Sequence, residues 1–405
     1  MRPELLAPAG DMECLQTALR FGADAVYLGG QAFGMRGAPK NFTQDELRQA
    51  VQLAHSMGKR VYVTCNIIPH PEDMKALPGW LEEIAGTGAD AVIAADLGLM
   101  QLTQKYAPAQ EIHISTQAGI TNAETATAYY NLGAKRVILA RELTLEEIRE
   151  IRAHTPPGLE IECFVHGAMC VSYSGRCLLS NYLTGRDANG GKCAQPCRWN
   201  YALVEETRPG MYIPVREDTH GTHILHAKDL CMIEHIPALI DAGIGSLKIE
   251  GRAKAAYYVA VAVNAYRVAL DCAIEGAPLP GWVREEPRKL SHREYCTGFF
   301  FNKPNEAAQV NLAGGYTRPW EVIGIVKRCE NGRCHAVQRG RAFVGDALEA
   351  LVPVQAPVRV TLEDLRDENG HPVDATRHPE MRFSFCCETE LPAGTVLRRE
   401  AHTVL

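Results

Sequence analysis

Between Glu162 and Trp199 the chain carries Cys163, Cys170, Cys177, Cys193 and Cys197, five of its fourteen cysteines, together with Gly167, Gly175, Gly185, Gly190 and Gly191. Cysteines that only fill a core scatter along a sequence. Thiolates that share a metal must be gathered by irregular, glycine-rich backbone. The N-terminus, MRPELLAPAGDMECL, lacks the basic region and apolar run of a secretion signal. That places the chain in the cytoplasm and argues against a structural disulfide framework. Metal chemistry is the expectation. Cys170 and Cys177 flank six residues, and Cys193 and Cys197 flank three, with Pro196 among them. This is not the spacing of a zinc ribbon. Four thiolates on such loops suit an iron–sulfur cluster of the 4Fe-4S type, with zinc as the alternative.

Other cysteines and histidines weigh less. Cys231, in AKDLCMIEH, reads as the start of a helix and complicates the ligand set. Cys163 falls on the core face of a strand, and Cys14, Cys272, Cys329, Cys334, Cys386 and Cys387 read as structural. His220, His223 and His226 would alternate across a strand and read as incidental.

The elements that must position this stretch are legible. Short β-branched runs begin at Glu4, Ala25, Val61, Ala91, Ile112, Val137, Glu160 and Ser246, separated by amphipathic segments such as TQDELRQAVQLAHSMGKR and TLEEIREIRAHTPPG. Eight strand–helix units predict an α/β fold, a (β/α)8 TIM-like barrel, over residues 1–275. A Cys-rich insertion after the seventh strand, about residues 167–228, contains a meander around Arg208, Pro209 and Gly210, with a further strand over residues 223–227. Residues 276–311 read as a linker with a connecting helix, and residues 312–405 as a small C-terminal β-barrel. The net charge of -6 argues weakly against an electrostatic partner for the whole chain but says nothing of local patches. No apolar run reaches the ~20 residues that span a bilayer, so no membrane partner is expected.

Barrel enzymes build their sites at the C-terminal ends of strands. That rule selects Arg36, Asn66, Asp96, Ser115, Gln117, Arg141, Glu142, His166, Lys248, Glu250 and Arg252. In SLKIEGR, two-residue alternation puts Lys248 and Glu250 on one face, as a charged pair in the barrel mouth or as a structural ion pair. The arginines at several strand ends favour an anionic small substrate.

The segments ELLAPAG, GADAVYLG, RVILARELTLEEI, ECFVHGAMCVSYSGRCLLSNY, CAQPCRW and SLKIEGR together resemble the collagenase-like peptidase family of unassigned catalytic type, and within it the tRNA hydroxylation proteins. The resemblance covers residues 3–300 and, more loosely, the C-terminal domain. It implies oxygen-independent hydroxylation of a tRNA wobble uridine to 5-hydroxyuridine in the anticodon loop, with prephenate as co-substrate and a four-cysteine iron–sulfur cluster. By motif position it assigns Cys170, Cys177 and Cys193 to the cluster and leaves the fourth ligand open between Cys197 and Cys231. With that chemistry, His166, Lys248 and Glu250 become the catalytic candidates. Arg36, Asn66, Arg141 and Arg252 become the candidates for binding prephenate. For RNA, Arg186, Arg198 and Trp199, with Tyr173 and Tyr182, could stack bases. The basic hairpin with Lys327, Arg328, Arg333, Arg339 and Arg341 could follow phosphates, or could simply be solvated. A peptidase, with a cysteine nucleophile beside His166, and a noncatalytic RNA-positioning protein are the competing readings. A homo-oligomer or a partner subunit stays open.

Overall fold

The computed structural model describes residues 2–34, 41–170, 172–173, 177–198, 216–218, 221–223, 228–302 and 317–401. Seven parallel strands come first: β1 (Glu4–Pro8), β2 (Ala25–Gly29), β3 (Arg60–Cys65), β4 (Ala91–Ala94), β5 (Glu111–Ile114), β6 (Arg136–Ile138) and β7 (Glu160–Ala168). A short hairpin, β8 (Arg216–Asp218) with β9 (Gly221–His223), and the strand β10 (Asp229–Cys231) precede β11 (Ser246–Ile249). Strand β11 pairs in parallel with both β1 and β7, which closes an eight-stranded barrel as expected.

Local chemistry explains the outer helices. Gln44–Ser56 and Leu145–His154 each open with a capping box, Thr43 with Glu46 and Thr144 with Glu147, so the first turn's orphan N–H groups are satisfied. The apolar faces Leu47, Ala50, Val51, Ala54 and Leu145, Ile148, Ile151 then pack against the strands. The eighth barrel helix, Ala256–Glu275, is buried along most of its length within the main core, and Asn264 on it bonds to the backbone of Val354 and Gln355 in the C-terminal domain.

Strand β10 pairs antiparallel with the extended end of β7 and parallel with β12 (Tyr295–Cys296), forming a flange outside the barrel. Cys231 therefore ends a strand and does not start a helix, contrary to the expectation from the sequence. The flange is held by Asp229, whose carboxylate accepts from Arg293 Nε and Nη2 at 2.9 and 2.7 Å. The meander around Pro209, and His220 and His226, lie outside the described residues.

The C-terminal domain is a curled antiparallel sheet of β13 (Trp320–Glu330), β14 (Arg333–Gln338), β15 (Ala347–Leu351), β16 (Val358–Thr361), β17 (Glu363–Asp367), β18 (Arg382–Cys386) and β19 (Val396–Glu400). It has its own core around Ile323, Phe383, Phe385 and Leu397. Ion pairs join it to the barrel domain. Buried Arg398 grips Glu286 at 2.6 Å, and Lys289 reaches Glu349 at 2.7 Å. A disulfide links Cys329 to Cys334 across the β13–β14 hairpin, two cysteines that read as structural in the sequence.

Candidate active site

The barrel interior is ionic. Arg136, 1% exposed, donates to Glu4 Oε1 at 2.7 Å, to Glu162 Oε2 at 2.9 Å and to Glu160 Oε2 at 2.7 Å. Arg60 and Tyr62 add donors to Glu4 at 2.5 and 2.6 Å, and Ser246 Oγ donates to Glu4 at 3.1 Å. Lys248 Nζ completes the chain at 2.8 Å from Glu162 Oε1. Burial alone would raise the Glu162 carboxyl, but Lys248 and Arg136 outweigh it and hold it below the usual range. Burial acts the same way on Glu4, yet Arg136, Tyr62 and Arg60 bring it to about 2. Three carboxylates and three cations thus satisfy one another inside the barrel.

Above this network lies the strand-end pocket, lined by Tyr27, Thr64, Asn66, Ser115, Gln117, Arg141, Phe164, Lys248, Glu250 and Arg252 together with apolar side chains. The sequence reading placed seven of these residues at strand ends, and the structure brings them together. It does not pair Lys248 with Glu250. Lys248 bonds to Glu162 and sits 4.5 Å from the Tyr27 ring centroid, while Glu250 Oε2 accepts from Tyr27 Oη at 3.2 Å. Both line the pocket, as alternation along β11 suggests, but each takes its partner from another strand; the register shift opposite Lys248 and Ile249 is a bulge on β7, with Val165 as the extra residue. Arg252 is buried and donates to Thr64 Oγ1. A Cβ added at Gly29 would meet its guanidinium. Asn66 donates to Gln117 Oε1 at 2.9 Å, presenting two amides side by side. Arg141 donates to Ala168 O at 2.9 Å and lies over the Phe164 ring, so it ties the pocket wall to the root of the cysteine loop. Asp96 serves elsewhere, as the N-cap of Leu97–Tyr106.

His166 is not in this pocket. The bulge turns it outward, where it is boxed by the rings of Tyr258, Tyr266 and Tyr295 at 5.8, 5.3 and 5.5 Å. Burial pushes its imidazole down to about 4, so it is neutral at pH 7 and does not fit the proton carrier expected from the sequence. Its register partner on β10 is Cys231, whose thiol burial raises to about 11.

The insertion meets the barrel beside the end of β3. Ile68 N, just past Asn66, donates to Asn189 O at 3.2 Å, and Ala194 N donates to Ser180 Oγ at 3.1 Å. Cys170 is exposed, and Cys177, Cys193 and Cys197 are half-buried. Cys14, Cys65 and Cys163, by contrast, lie in the core with thiols pushed up by burial. Accessible thiols on irregular backbone fit a thiolate-ligated cluster in donor chemistry. Among the described residues, however, no three or more His, Cys, Asp or Glu side chains converge as a metal site.

Tyr173 and Tyr182 are exposed on this insertion, as is Arg186. Arg198 ends the turn Pro196–Arg198, and Arg36 and Trp199 lie outside the described residues. Lys327 and Arg328 are exposed on β13, whereas Arg339 is drawn to Glu13 at 2.9 Å and Glu380 at 3.3 Å. Sequence reasoning missed Glu162, Arg136, Tyr27 and Thr64. Glu160 and Glu162, two apart on an otherwise apolar strand, were the available signal for charge inside the barrel.

Two family models match the chain. One, described as peptidase family U32, covers residues 10–310, and the other, the family's C-terminal domain, covers residues 318–398. The tRNA hydroxylation protein P1 of Bacillus subtilis is 36% identical over 98% of this chain and 95% of its own length. An uncharacterized protease of Methanocaldococcus jannaschii is 45% identical over 75% of this chain and 74% of its own. The 23S rRNA 5-hydroxycytidine synthase of Escherichia coli is 40% identical over 68% of this chain and 40% of its own.

Proposed function

The chain belongs to peptidase family U32, and from that membership we propose that it is an RNA hydroxylase whose substrate is tRNA. Relatives named for hydroxylation of tRNA and of rRNA support the reaction class. The observation that carries it over the protease name is the pocket lining. Three cations and two amides line it beside Glu250, hydroxyls and apolar side chains, and its described lining contains no histidine, so the nucleophile–imidazole pair of a cysteine or serine peptidase has no place there. Cys231 does lie beside His166, but in the flange outside the barrel and not in this pocket.

The finer reading is hydroxylation of the wobble uridine at C5, independent of oxygen, with prephenate as co-substrate. Arg252 and Arg141 offer the forked donors that suit carboxylates, and Lys248, positioned by Glu162, adds an ammonium donor to the pocket wall. Asn66 and Gln117 could read the polar edges of the ligand or of the uracil base. An unpaired anticodon base reaches such a recessed pocket by leaving the stack, and exposed Tyr173 and Tyr182 lie on the insertion it would pass. The iron–sulfur cluster belongs to the same reading, held by Cys170, Cys177, Cys193 and either Cys197 or Cys231. Bound, it would supply redox or Lewis-acid chemistry.

Purified protein, prepared without air and incubated with unmodified tRNA, tests this by nucleoside mass spectrometry. Formation of 5-hydroxyuridine only when prephenate is added is the expected result. Cleavage of a peptide, with no new nucleoside under any condition, would overturn the proposal.

A further inference from the structure

Cations gather a second time on the outer face of the C-terminal sheet. Alternation along β14 sends Cys334 and Ala336 into the domain core and leaves Arg333, His335 and Val337 on the opposite face. Strand β18 does the same, with Phe383 and Phe385 inside and Arg382 and Ser384 outside. Strand register then aligns Arg328, His335, Ser384 and Arg366 in one row across β13, β14, β18 and β17. At ~4.8 Å between neighbouring strands, the row runs ~14 Å. Arg382 stands opposite Val337, beside this row, and Lys327 is exposed where β13 bulges. Residues 368–370 wall the resulting groove.

The acids nearby are largely committed. Arg333 and Arg366 share Asp364, and Glu330 lies 3.8 Å from Arg328. Asp367, which also lines the groove with Glu368, accepts the backbone N–H groups of Asn369 and His371. Among the described residues, Lys327 and Arg382 form no ion pair. His335 reports the local field, because burial and then Arg328 and Arg333 hold its imidazole below the usual value despite Glu330. The groove exposes no large apolar side chain, so it lacks the aromatic or aliphatic anchor expected of a protein–protein site.

We propose that this face is a docking surface for the phosphate backbone of the substrate RNA, formed by Lys327, Arg328, Arg333, Arg366 and Arg382. It rests on the reading that the substrate is RNA and extends it. The pocket receives one base, while the sheet holds the body of the molecule through phosphate contacts that carry no sequence information. Arg339 does not line the groove and reaches Glu13 instead, so it is not part of this surface.

The test is binding of a full-length tRNA transcript, by fluorescence anisotropy over a KCl series, to wild type and to the double variant Lys327→Ala, Arg382→Ala. Neither residue holds an ion pair among the described residues, so the thermal midpoint should not move. The expected result is an affinity about tenfold weaker near 0.1 M salt, and a slope of log Kd against log salt reduced by about 2, one for each phosphate that the variant no longer neutralises. Unchanged affinity and slope, with hydroxylation of the same tRNA proceeding, would overturn the docking surface and leave the enzyme reading intact. A reduced slope in a protein that forms no hydroxylated nucleoside would keep the surface and sink the hydroxylase. Loss of binding to polyglutamate but not to tRNA would assign the face to an acidic protein and overturn the proposal.

Discussion

Arg136 and Arg382 are both arginines on β-strands of a chain with net charge -6, yet their surroundings are opposite. Arg136 is buried among Glu4, Glu160 and Glu162, whereas Arg382 is exposed and makes no ion pair among the described residues. The first kind of cation fixes geometry. Its charge is neutralised inside the barrel, out of reach of salt, and the chain of contacts ends at Lys248 in the pocket floor. The second kind stays solvated, with counterions to exchange for a polyanion. Residue type alone does not separate these roles. The carboxylates that neighbouring strands bring alongside do.

The comparison breaks most visibly at Arg136. In Arg136→Met, Glu162 keeps only Lys248 as a cation and Glu4 keeps Arg60, so the buried carboxylates are under-compensated. We expect a loss of about 3–5 kcal/mol in urea unfolding. A loss below about 1 kcal/mol would show that water already screens the network. At Lys248 the effect should move from stability to chemistry. Lys248→Met should lower hydroxylation by about a hundredfold or more, as expected when a preorganised charge leaves a site, while tRNA affinity stays unchanged. Equal turnover in Lys248→Met would remove the residue from the reaction.

Acid should separate the two regions as well. Glu4 is held near 2 in the folded protein against 4.5 for an ordinary glutamate, so the unfolded chain binds the extra proton first. Its contribution to stability is present above pH 4.5 and is lost as pH falls from 4.5 towards 2. Thermal midpoints across that window should fall less steeply for Glu4→Gln than for wild type, and parallel curves would contradict the assignment. The smallest effect belongs to Arg339. Its pairs with Glu13 and Glu380 are largely exposed, so Arg339→Ala should cost less than about 1 kcal/mol and leave the salt slope of tRNA binding unchanged.

Much of the barrel was legible from the sequence because each strand is a short buried run bounded by a glycine or a helix cap, a pattern that survives without tertiary context. The pocket was legible through one rule, that strand ends carry the site, and Asn66, Arg141, Lys248, Glu250 and Arg252 do meet there. What failed was local extrapolation across a bulge. The strand-end rule put His166 in the mouth, but the extra residue Val165 on β7 turns it to a ring of tyrosines. Alternation placed Lys248 and Glu250 on one face, and both line the pocket, but it could not show that Lys248 bonds to Glu162 of the neighbouring strand. Arg136 was invisible for another reason. Glu160 and Glu162 come from the adjacent strand β7 and Glu4 from the distant β1, and no spacing along the chain announces that the three meet. The row from Arg328 to Arg366 likewise exists only in the register of β13, β14, β18 and β17.

We propose that this pocket hydroxylates an RNA base. The most direct test is nucleoside mass spectrometry of total tRNA from a strain lacking this chain, complemented with wild type, with Lys248→Met, or with Cys170→Ala, Cys177→Ala. The account predicts that 5-hydroxyuridine is absent in the deletion, restored by wild type and not restored by either variant present at the same level. An unchanged nucleoside profile in the deletion, or full restoration by Lys248→Met, would contradict it.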